Sequence, residues 1–466
     1  MQRSNNRPNN RHSNYGNSHS RVPSYEIHPT SVKMINQGNP WVTLDEYSEK
    51  FQPKEKFIIA TNDRKPFALL LHDPQHKIIR ARLWAKGGNL ERQAKSFKTD
   101  CTNRIDAAFR LRKSTKIMEK RNNFYLVFGE ADQLPGLFIQ YLNGEILIQH
   151  YTYFWSKFEN YILEMIMKKM KDVFSMDVYK SQIWKQMRVD TDAHKAGAVC
   201  LDPNISFKNL EVTEYGVNYK LNLGSNYDVG LYTDMSSVRE KMKPLFEKAK
   251  SVLNLYSYTG AFSLFALKNG AENVTSVDLS EKYLEWLDEN LKLNADFNPE
   301  SHTSMAMSAK DAMNELYESG KKFDLIICDP PSSSSDGNKR TNALSDYGST
   351  LSQINSLLSE YGKAVVFLNT HKVNRKKFQF KLHDIIKSKG LKLKASTYYG
   401  LNDDCPAMPR FPEGSYLKGF LIEKCEKPLE EIERSQKASG GANNKKPSGK
   451  KPYRKNFNKK PVNGNR

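Results

Sequence analysis

Three aspartates accompany apolar stretches in the second half of the chain. Asp278 ends NVTSVD, Asp329 follows FDLIIC, and Asp311 lies in SAKDAM. Gly260 lies in NLYSYTGAFS, where a glycine lets the backbone approach a ligand that a side chain would block. A carboxylate accepts hydrogen bonds through two oxygens, so it can hold the hydroxyls of a ribose or the amine of an adenine. The pattern therefore predicts a site for a nucleoside.

Repeated strand–helix units from about residue 200 would position these residues. SVLNLY, NVTSVD, FDLIICD and KAVVFLN read as buried strands, and a helical stretch follows each of them. This alternation predicts an α/β fold, a parallel sheet with helices on both faces. Ligands bind beyond the carboxyl ends of the strands in such sheets. The residues that follow the four strands are therefore expected to lie together.

The absence of phosphate-binding motifs narrows the ligand. Neither GxGxxG nor GxxxxGK[ST] occurs in the loop around Gly260. Asp278 follows Gly260 by eighteen residues, about where a carboxylate reaches ribose hydroxyls in nucleotide-binding folds. Contacts to ribose and adenine without a phosphate grip favour S-adenosylmethionine over NAD. Taken singly, each aspartate could instead cap a helix or complete a turn.

Basic charge concentrates at the two ends of the chain. The net charge is +20, residues 437–466 hold ten Lys and Arg and no acid, and residues 1–24 hold four Arg and no acid. Such low-complexity segments cannot bury a core, so we predict disordered basic tails. They would bind phosphate groups of a nucleic acid, or else serve solubility.

Several classes of protein are disfavoured by the composition. No run of about eighteen apolar residues is present to span a membrane, and the N-terminus has no apolar signal-peptide core. The five cysteines form neither a disulfide framework nor a zinc-binding pattern. We therefore expect a reduced, cytoplasmic protein that has no membrane partner and binds no metal.

The first half of the chain reads as two units. Up to about Trp84, short strands and turns such as KFIIAT, NDRK and PFALLLH predict a small β-rich module. From about 90 to 190, helices and strands alternate. We expect a helix over 96–116 to present a phosphate-binding surface, formed by Lys98, Arg104, Arg110, Arg112 and Lys113.

The stretches VFGEADQLPGL, DVGLYTD, VLNLYSYTGAFS, ICDPPS and DDCPAMPRFPEGSYLKGF occur in this order along the chain. With them, residues 30 to 425 resemble the RlmI-like S-adenosylmethionine-dependent methyltransferases of bacterial large-subunit (23S) ribosomal RNA. VLNLYSYTGAFS is similar to the cofactor loop of that family, ICDPPS to its DPP motif, and VFGEADQLPGL to GExDxLPGL. DVGLYTD resembles TGFYLD, and DDCPAMPRFPEGSYLKGF resembles the closing DHP…PEGxYLKG run. NPWVTLDEY…RARLW resembles the RNA-binding PUA domain. The resemblance implies ribosomal RNA as partner and allows a homodimer.

The resemblance also implies a domain order, in which a class I (Rossmann-like) methyltransferase domain follows a PUA-like domain and an α+β subdomain. The predicted ranges are 1–24 (tail), 25–88 (PUA-like domain), 89–195 (linking subdomain), 196–427 (methyltransferase domain) and 428–466 (tail).

Site roles can be carried over residue by residue from the family motifs. Tyr258, Thr259, Gly260 and Ser263 would line the cofactor. Asp278 would hold its ribose, Asp311 its adenine, and Asp329 would close the site between cofactor and target base. Pro330 and Pro331 would fix this corner, because proline restricts φ and has no N–H. Catalytic positions are then Asp329, Pro330, Pro331 and Asn369.

One departure from the family pattern concerns the target atom. Members that make 5-methylcytosine use a cysteine after the fourth strand, because C5 of cytosine needs a thiolate to activate the ring. Here that place reads FLNTHKV. Cys328 is expected to point into the core, and Cys405, which replaces the His of DHP, could be a relocated nucleophile.

The same stretches resemble the guanine-N7, RlmK-type branch of the superfamily. PPSSSSDGNKR and FLNTHKVNRKKF carry this likeness, with Asn369, Lys372 and Arg375 in place of the cysteine, and Lys339 and Arg340 contacting RNA phosphate. N7 has an in-plane lone pair, so positioning and electrostatics suffice for transfer. Guanine N7 is therefore the preferred acceptor. The alternatives are cytosine C5 and a non-catalytic RNA-binding protein with a degenerate methyltransferase fold.

Overall fold

The computed structural model describes most of the chain between residues 21 and 434. Almost all of the two predicted tails, together with Lys339 and the side chain of Arg340, lies outside the described residues. Within the described part, no helix combines the length and apolar character needed to cross a bilayer. The described ranges are 21–189, 196–331, 333–335, 340–401, 404–408, 410–432 and 434.

The N-terminal unit is a five-stranded sheet of order β1-β3-β4-β5-β2 with one helix packed on it. Neighbouring strands are antiparallel, except that β1 runs parallel to β3. Ser24 of β1 pairs with Ile59, so this sheet begins inside the predicted tail. The elements are β1 (Ser24–Glu26), α1 (Pro29–Asn36), β2 (Trp41–Thr43), β3 (Phe57–Asn62), β4 (Lys65–His72) and β5 (Ile79–Lys86).

A second five-stranded sheet, of order β10-β9-β8-β7-β6, follows with three helices. Leu69 and Trp84 of the first unit are buried in the same core as Ile105, Phe109 and Ile166 of the second, so the two units share one hydrophobic core. The elements are α2 (Leu90–Lys95), α3 (Phe97–Ser114), β6 (Asn123–Phe128), β7 (Leu137–Leu142), β8 (Glu145–His150), α4 (Glu159–Phe174), β9 (Ile183–Met187) and β10 (Val199–Cys200).

Helix α3 does not present the predicted five-cation surface. Arg112 is buried and forms two hydrogen bonds with Asp132, of 2.7 and 2.6 Å. Arg104 donates to the carbonyls of Trp84 and Gln133 and stacks over the Trp84 ring. These two guanidiniums form hydrogen bonds within the protein, because buried carbonyls and carboxylates need donors.

The remaining three cations of α3 are exposed. Arg110 pairs with Asp106 one turn earlier, at 2.7 Å. Lys98 lies over the ring of Tyr161 and Lys113 over that of Phe174. The prediction that these five cations supply a phosphate-binding surface was therefore wrong for Arg104 and Arg112.

The C-terminal half contains a seven-stranded sheet of order β15-β14-β13-β16-β19-β21-β20, preceded by a hairpin of β11 and β12. All neighbours run parallel except β21, which is antiparallel to both β19 and β20. The elements are β11 (Lys208–Glu214), β12 (Val217–Leu223), α5 (Ser236–Phe246), β13 (Ser251–Leu255), α6 (Ala261–Lys268), β14 (Asn273–Asp278), α7 (Glu281–Lys292), β15 (His302–Ala306), α8 (Ala309–Glu318), β16 (Phe323–Cys328), β17 (Ser333–Ser335), β18 (Arg340–Asn342), α9 (Ala343–Leu357), β19 (Leu358–Asn369), α10 (Arg375–Ser388), β20 (Leu393–Gly400) and β21 (Leu417–Lys424).

Helices cover both faces of this sheet, which confirms the predicted α/β architecture. Val252 and Ile327 point into one core, shared with α5, α6 and the hairpin, whereas Leu253 and Ile326 point into a second core with α8, α9 and α10. Successive strand residues face opposite sides. This double burial explains why these strands are nearly continuous apolar runs.

The structure moves one predicted boundary and adds one strand pairing that the sequence did not predict. Residues 429–432 are helical and Leu429 is buried in the second core, so the folded unit extends past the predicted boundary at 427. The backbone of the serine run pairs as an antiparallel ladder, in which Ser333 lies opposite Asn342.

Candidate active site

The four predicted strands end at one edge of the seven-stranded sheet. The strands β13, β14, β16 and β19 are mutually parallel, so their carboxyl ends lie at the same edge. Asp278 and Asn369 are the last residues of β14 and β19, whereas Asp329 follows β16 and the loop at Tyr258 follows β13. This arrangement places the predicted residues at the edge where such sheets bind ligands.

The loop after β13 is held in an unusual backbone conformation. Tyr256, Tyr258 and Gly260 have φ values of 60°, 51° and 83°. The backbone N–H of Tyr258 donates to Asp278 Oδ2 at 2.8 Å, and the N–H of Ser280 donates to Oδ1 at 2.9 Å. Asp278 thus fixes the loop and still has a free lone pair on each oxygen.

Gly260 is required for a different reason from the one we predicted. A Cβ at this position would lie 2.4 Å from Leu287 Cγ and 3.0 Å from Leu264 Cδ1. The side chains of α7 and α6 therefore fill the space beside this glycine, and its positive φ adds a second requirement. The absent side chain makes room for core packing, and the close approach of a ligand to this backbone stays a prediction.

Gly260→Ala is expected to destabilise the protein by about 2–4 kcal/mol, because overpacking and a left-handed φ each cost about 1–3 kcal/mol. Urea unfolding would measure this. Gly270→Ala is the matched control, since its φ is 101° but no atom lies within 4 Å of its Cβ position. The difference between the two variants isolates the contact with Leu287, and equal losses would show that this contact is unimportant.

Two predicted cofactor residues serve the interior of the protein. Ser263 is fully buried on α6, where its hydroxyl is bonded to Asn254 and Ser276. Thr259, also fully buried, donates to the carbonyl of Gly230 at 2.6 Å. Their hydroxyls are already used and shielded from solvent, so the lining of the cofactor by Ser263 stays a prediction that these hydrogen bonds do not support. Thr259 instead positions the loop against residues 228–230.

Asp311 lies at the start of α8 and is exposed. The Ser308 hydroxyl accepts from the Asp311 N–H at 3.1 Å and donates to Asp311 Oδ2 at 2.6 Å. This is a reciprocal helix cap, the alternative that the sequence left open. Oδ1 is not used in the cap, so a contact to adenine stays a prediction.

Asp329 and Asp234 form an acidic pair at the edge. Burial, with the negative charge of Asp234, raises the pKa of Asp329 to about 7. Burial also raises the pKa of Asp234, although the Tyr416 hydroxyl donates to its Oδ2 at 2.5 Å. Groups with strongly shifted pKa values at a sheet edge are candidates for a functional role.

The three residues predicted in place of the family cysteine have different surroundings. Asn369 ends β19, pairs with Leu417 and is exposed, as is Lys372. Arg375 starts α10, and its guanidinium stacks 4.0 Å from the ring centroid of Tyr398. The structure thus leaves Asn369 and Lys372 available, but it places Arg375 against β20.

An aromatic cluster that the sequence did not predict borders this loop. His371 packs edge-on against Trp41 of the N-terminal sheet and against Tyr416. Trp41 also contacts Phe411 and donates to Glu130 Oε1 at 2.8 Å. The N-terminal unit therefore reaches the edge of the seven-stranded sheet where β13, β14, β16 and β19 end, here named the reactive edge. The acidic DVGLYTD and the aromatic NPW and PEGSY segments were the signals that could have indicated these residues.

A buried ionic cluster fastens the closing segment to the linking subdomain. Asp404 accepts from Arg121 at 2.5 Å and from the Tyr125 N–H at 2.7 Å, while its carbonyl accepts from Arg112 at 2.8 Å. The adjacent Cys405 is fully buried, and burial with nearby negative charge raises the pKa of its thiol well above the ordinary value.

The edge fits the adenosyl part of S-adenosylmethionine. Both Asp278 oxygens retain a lone pair for ribose hydroxyls. Leu279, the next residue, is 70% exposed and offers apolar surface to a ring. Asp329, a half-buried residue, follows the end of β16, which lies two strands away from β14 in the sheet.

Comparisons with known proteins agree with this geometry. A family model described as S-adenosylmethionine-dependent methyltransferase matches residues 186–377. The Bacillus subtilis protein designated ribosomal RNA large subunit methyltransferase YwbD is 30% identical over 334 residues, 69% of this chain and 81% of the relative. Ribosomal RNA large subunit methyltransferase I of Alteromonas mediterranea is 27% identical over 413 residues, 85% of this chain and 98% of the relative.

Two further matches concern one domain and the fold. Ribosomal RNA large subunit methyltransferase K/L of Alteromonas mediterranea is 36% identical over 168 residues, 36% of this chain and 23% of the relative. The crystal structure of SMU.776, a methyltransferase complexed with SAH, superimposes with a TM-score of 0.71 at 19% identity, over 86% of this chain and 100% of the other. The latter likeness shows a shared fold.

The sheet order, the acidic edge and these matches define an S-adenosylmethionine-dependent methyltransferase of class I. The chain belongs to the RlmI-like family, that of ribosomal RNA large subunit methyltransferase I. The predicted family, enzyme class and cofactor are thereby confirmed.

Proposed function

We propose that the protein methylates a base of 23S ribosomal RNA, and that the acceptor is N7 of a guanine. The substrate class is supported by its relatives, whose names specify ribosomal RNA of the large subunit. The choice of guanine N7 as the acceptor atom is supported by one observation, the environment of the cysteines. All five are described, and none lies in the loop after β19.

Transfer to C5 of cytosine requires a thiolate, and the cysteines of this chain are poorly placed to supply one. Cys405 is buried with a raised thiol pKa, so little thiolate is present at neutral pH. Burial likewise raises the pKa of Cys328, which points into the second core. Cys425 follows the antiparallel β21 and so lies at the opposite edge of the sheet.

Guanine N7 needs no covalent help. When bound, S-adenosylmethionine supplies a methyl group on a positively charged sulfur. The N7 lone pair forms the new N–C bond as the S–C bond breaks, and positive charge moves onto the guanine. The Asp329 carboxylate would stabilise that charge, and Asn369 and the ring of His371 would hold the base in line. The N-terminal unit would act as the PUA-like RNA-binding domain, joined to this site through Trp41.

Nucleoside mass spectrometry of ribosomal RNA, from cells with and without the gene, tests both parts of the proposal. We expect loss of 7-methylguanosine in the deletion strain and its return with the wild-type gene but not with Asp329→Ala. Loss of 5-methylcytidine alone would overturn the acceptor and direct attention to Cys405. An unchanged nucleoside profile would instead overturn ribosomal RNA as the substrate.

Calorimetry would separate a failed reaction from a failed cofactor site. Asp278→Ala should abolish S-adenosylmethionine binding, because it removes both the ribose acceptor and the fixed Tyr258 loop. Asp288→Ala, on the exposed side of α7, serves as the control. Binding that is insensitive to Asp278→Ala would contradict the assigned cofactor site.

A further inference from the structure

Helix α10 carries a basic stripe on its outward side, beside the reactive edge. Its inward side is apolar and buries Phe378, Leu382, Ile385 and Ile386 in the second core. The outward residues recur one turn apart, as expected for one face of a helix. We define the α10 stripe as the exposed residues Lys376, Lys377, Phe380 and Lys381, with Lys372 just before the helix.

The lysines of the α10 stripe are not neutralised by the fold. Lys372, Lys376 and Lys377 have no carboxylate partner among the described residues, and Lys381 lies 3.7 Å from Asp384 at the surface. Positive side chains in the first turn oppose the helix dipole, and α10 has no acidic residue there. The stripe is therefore a local concentration of charge that costs stability.

An aromatic ring lies within this charge. Phe380 is 72% exposed, with Lys376, Lys377 and Lys381 within one turn of it. Proteins that hold single-stranded nucleic acid combine cations that bind phosphates with aromatic rings on which bases stack. A membrane surface fits less well, because an interfacial helix needs a wide apolar face, and the apolar face of α10 is already buried.

We infer that the α10 stripe is a docking surface for a single-stranded segment of the substrate RNA. This inference rests on the proposed function and names the surface that presents the RNA. Asn369, which ends β19 at the reactive edge, precedes α10 by only six residues. A strand bound along the helix, about 21 Å at 1.5 Å per residue, would lead to the site where a base is methylated.

The test compares two triple variants of the full-length protein. Lys376→Glu/Lys377→Glu/Lys381→Glu should weaken binding of a protein-free 23S ribosomal RNA transcript at least tenfold and reduce its salt slope by about 2–3. Acidic residues in the first turn favour a helix, so this variant should fold. The matched control, Lys168→Glu/Lys241→Glu/Lys248→Glu, reverses three exposed lysines on α4, α5 and the segment after α5.

Phe380→Ala provides a second readout, because stacking is not ionic. It should lower RNA affinity several-fold and leave the salt slope unchanged. S-adenosylmethionine affinity should be the same in every variant. Equal RNA binding by the stripe and control variants would overturn the inference. It would also be overturned if the stripe variant lost binding to phosphatidylglycerol vesicles but not to RNA. Absence of RNA methylation by the wild type would instead refute the proposed function, since the binding comparison does not depend on turnover.

Discussion

Asp329→Asn is expected to lower kcat for RNA methylation about 100- to 1000-fold, while the protein becomes more stable at about pH 8. The loss of rate has the size seen when one preorganised electrostatic group is removed from an active site. It should fall on kcat rather than on S-adenosylmethionine binding, because the carboxylate would face the charge that moves onto the base.

The gain in stability follows from the direction of the pKa shift. The carboxyl of Asp329 has a pKa of about 7 in the folded protein and an ordinary value of 3.8. As pH rises between these values, the unfolded chain releases a proton that the folded protein retains, so stability falls through this window and is lowest above about pH 7. At 1.36 kcal/mol per pH unit the upper bound is about 4 kcal/mol, and solvent at the partly exposed carboxyl reduces it.

Thermal unfolding of both proteins at about pH 5 and about pH 8 would measure this effect. Asparagine cannot ionise, so the variant should gain most over the wild type at the higher pH. Asp324→Asn is the control on the same strand. Burial opposes its ionisation, yet hydrogen bonds from Ser359 and Ser251 hold its pKa below the ordinary value, so that variant should lose stability at both pH values. A wild-type rate in Asp329→Asn would exclude a catalytic role for Asp329.

Arg112→Ala should destabilise the protein by about 3–5 kcal/mol, whereas Arg110→Ala should leave the free energy of unfolding nearly unchanged. Both arginines lie on α3 and pair with an aspartate. Arg112 is fully buried, however, and its loss removes the counter-ion of the Asp132 carboxylate and a donor to the carbonyls of Tyr125 and Asp404. Arg110 is 67% exposed.

Denaturant unfolding of the two variants would compare them directly. Arg112→Ala should also lower activity, because the Asp404 carbonyl lies in the segment that leads to Tyr416, which donates to Asp234 of the acidic pair. Similar losses in the two variants would show that burial does not decide the role of these arginines.

The architecture could be predicted from the sequence because its signals are local. Strands buried on both faces are apolar runs, as in β16, whose sequence is FDLIIC. Their order along the chain implies a common carboxyl edge. That reasoning placed Asp278 and Asp329 correctly at the ends of their strands. Periodicity could also have placed Arg112, since it is in helical phase with the buried Cys101, Ile105 and Phe109.

Other features depend on partners that are distant in sequence. Ser263 is buried, and its hydroxyl forms hydrogen bonds with Asn254 and Ser276. A glycine is needed at position 260 because Leu287 fills the space beside it. No local pattern in the sequence indicates these partners. The pKa of Asp329 depends on burial within the folded chain and on Asp234, which lies 95 positions earlier. Such pairings arise from tertiary packing, so motif spacing alone could not show them.

The ionic cluster at Asp404 also has a consequence for synthesis of the protein. Arg121 and Tyr125 leave the ribosome long before their partner, which follows them by 283 and 279 positions. A buried guanidinium without its carboxylate is strongly unfavourable. The linking subdomain can therefore complete its interior only after the closing segment has been translated. Nascent chains that end before Asp404 should remain open to proteases.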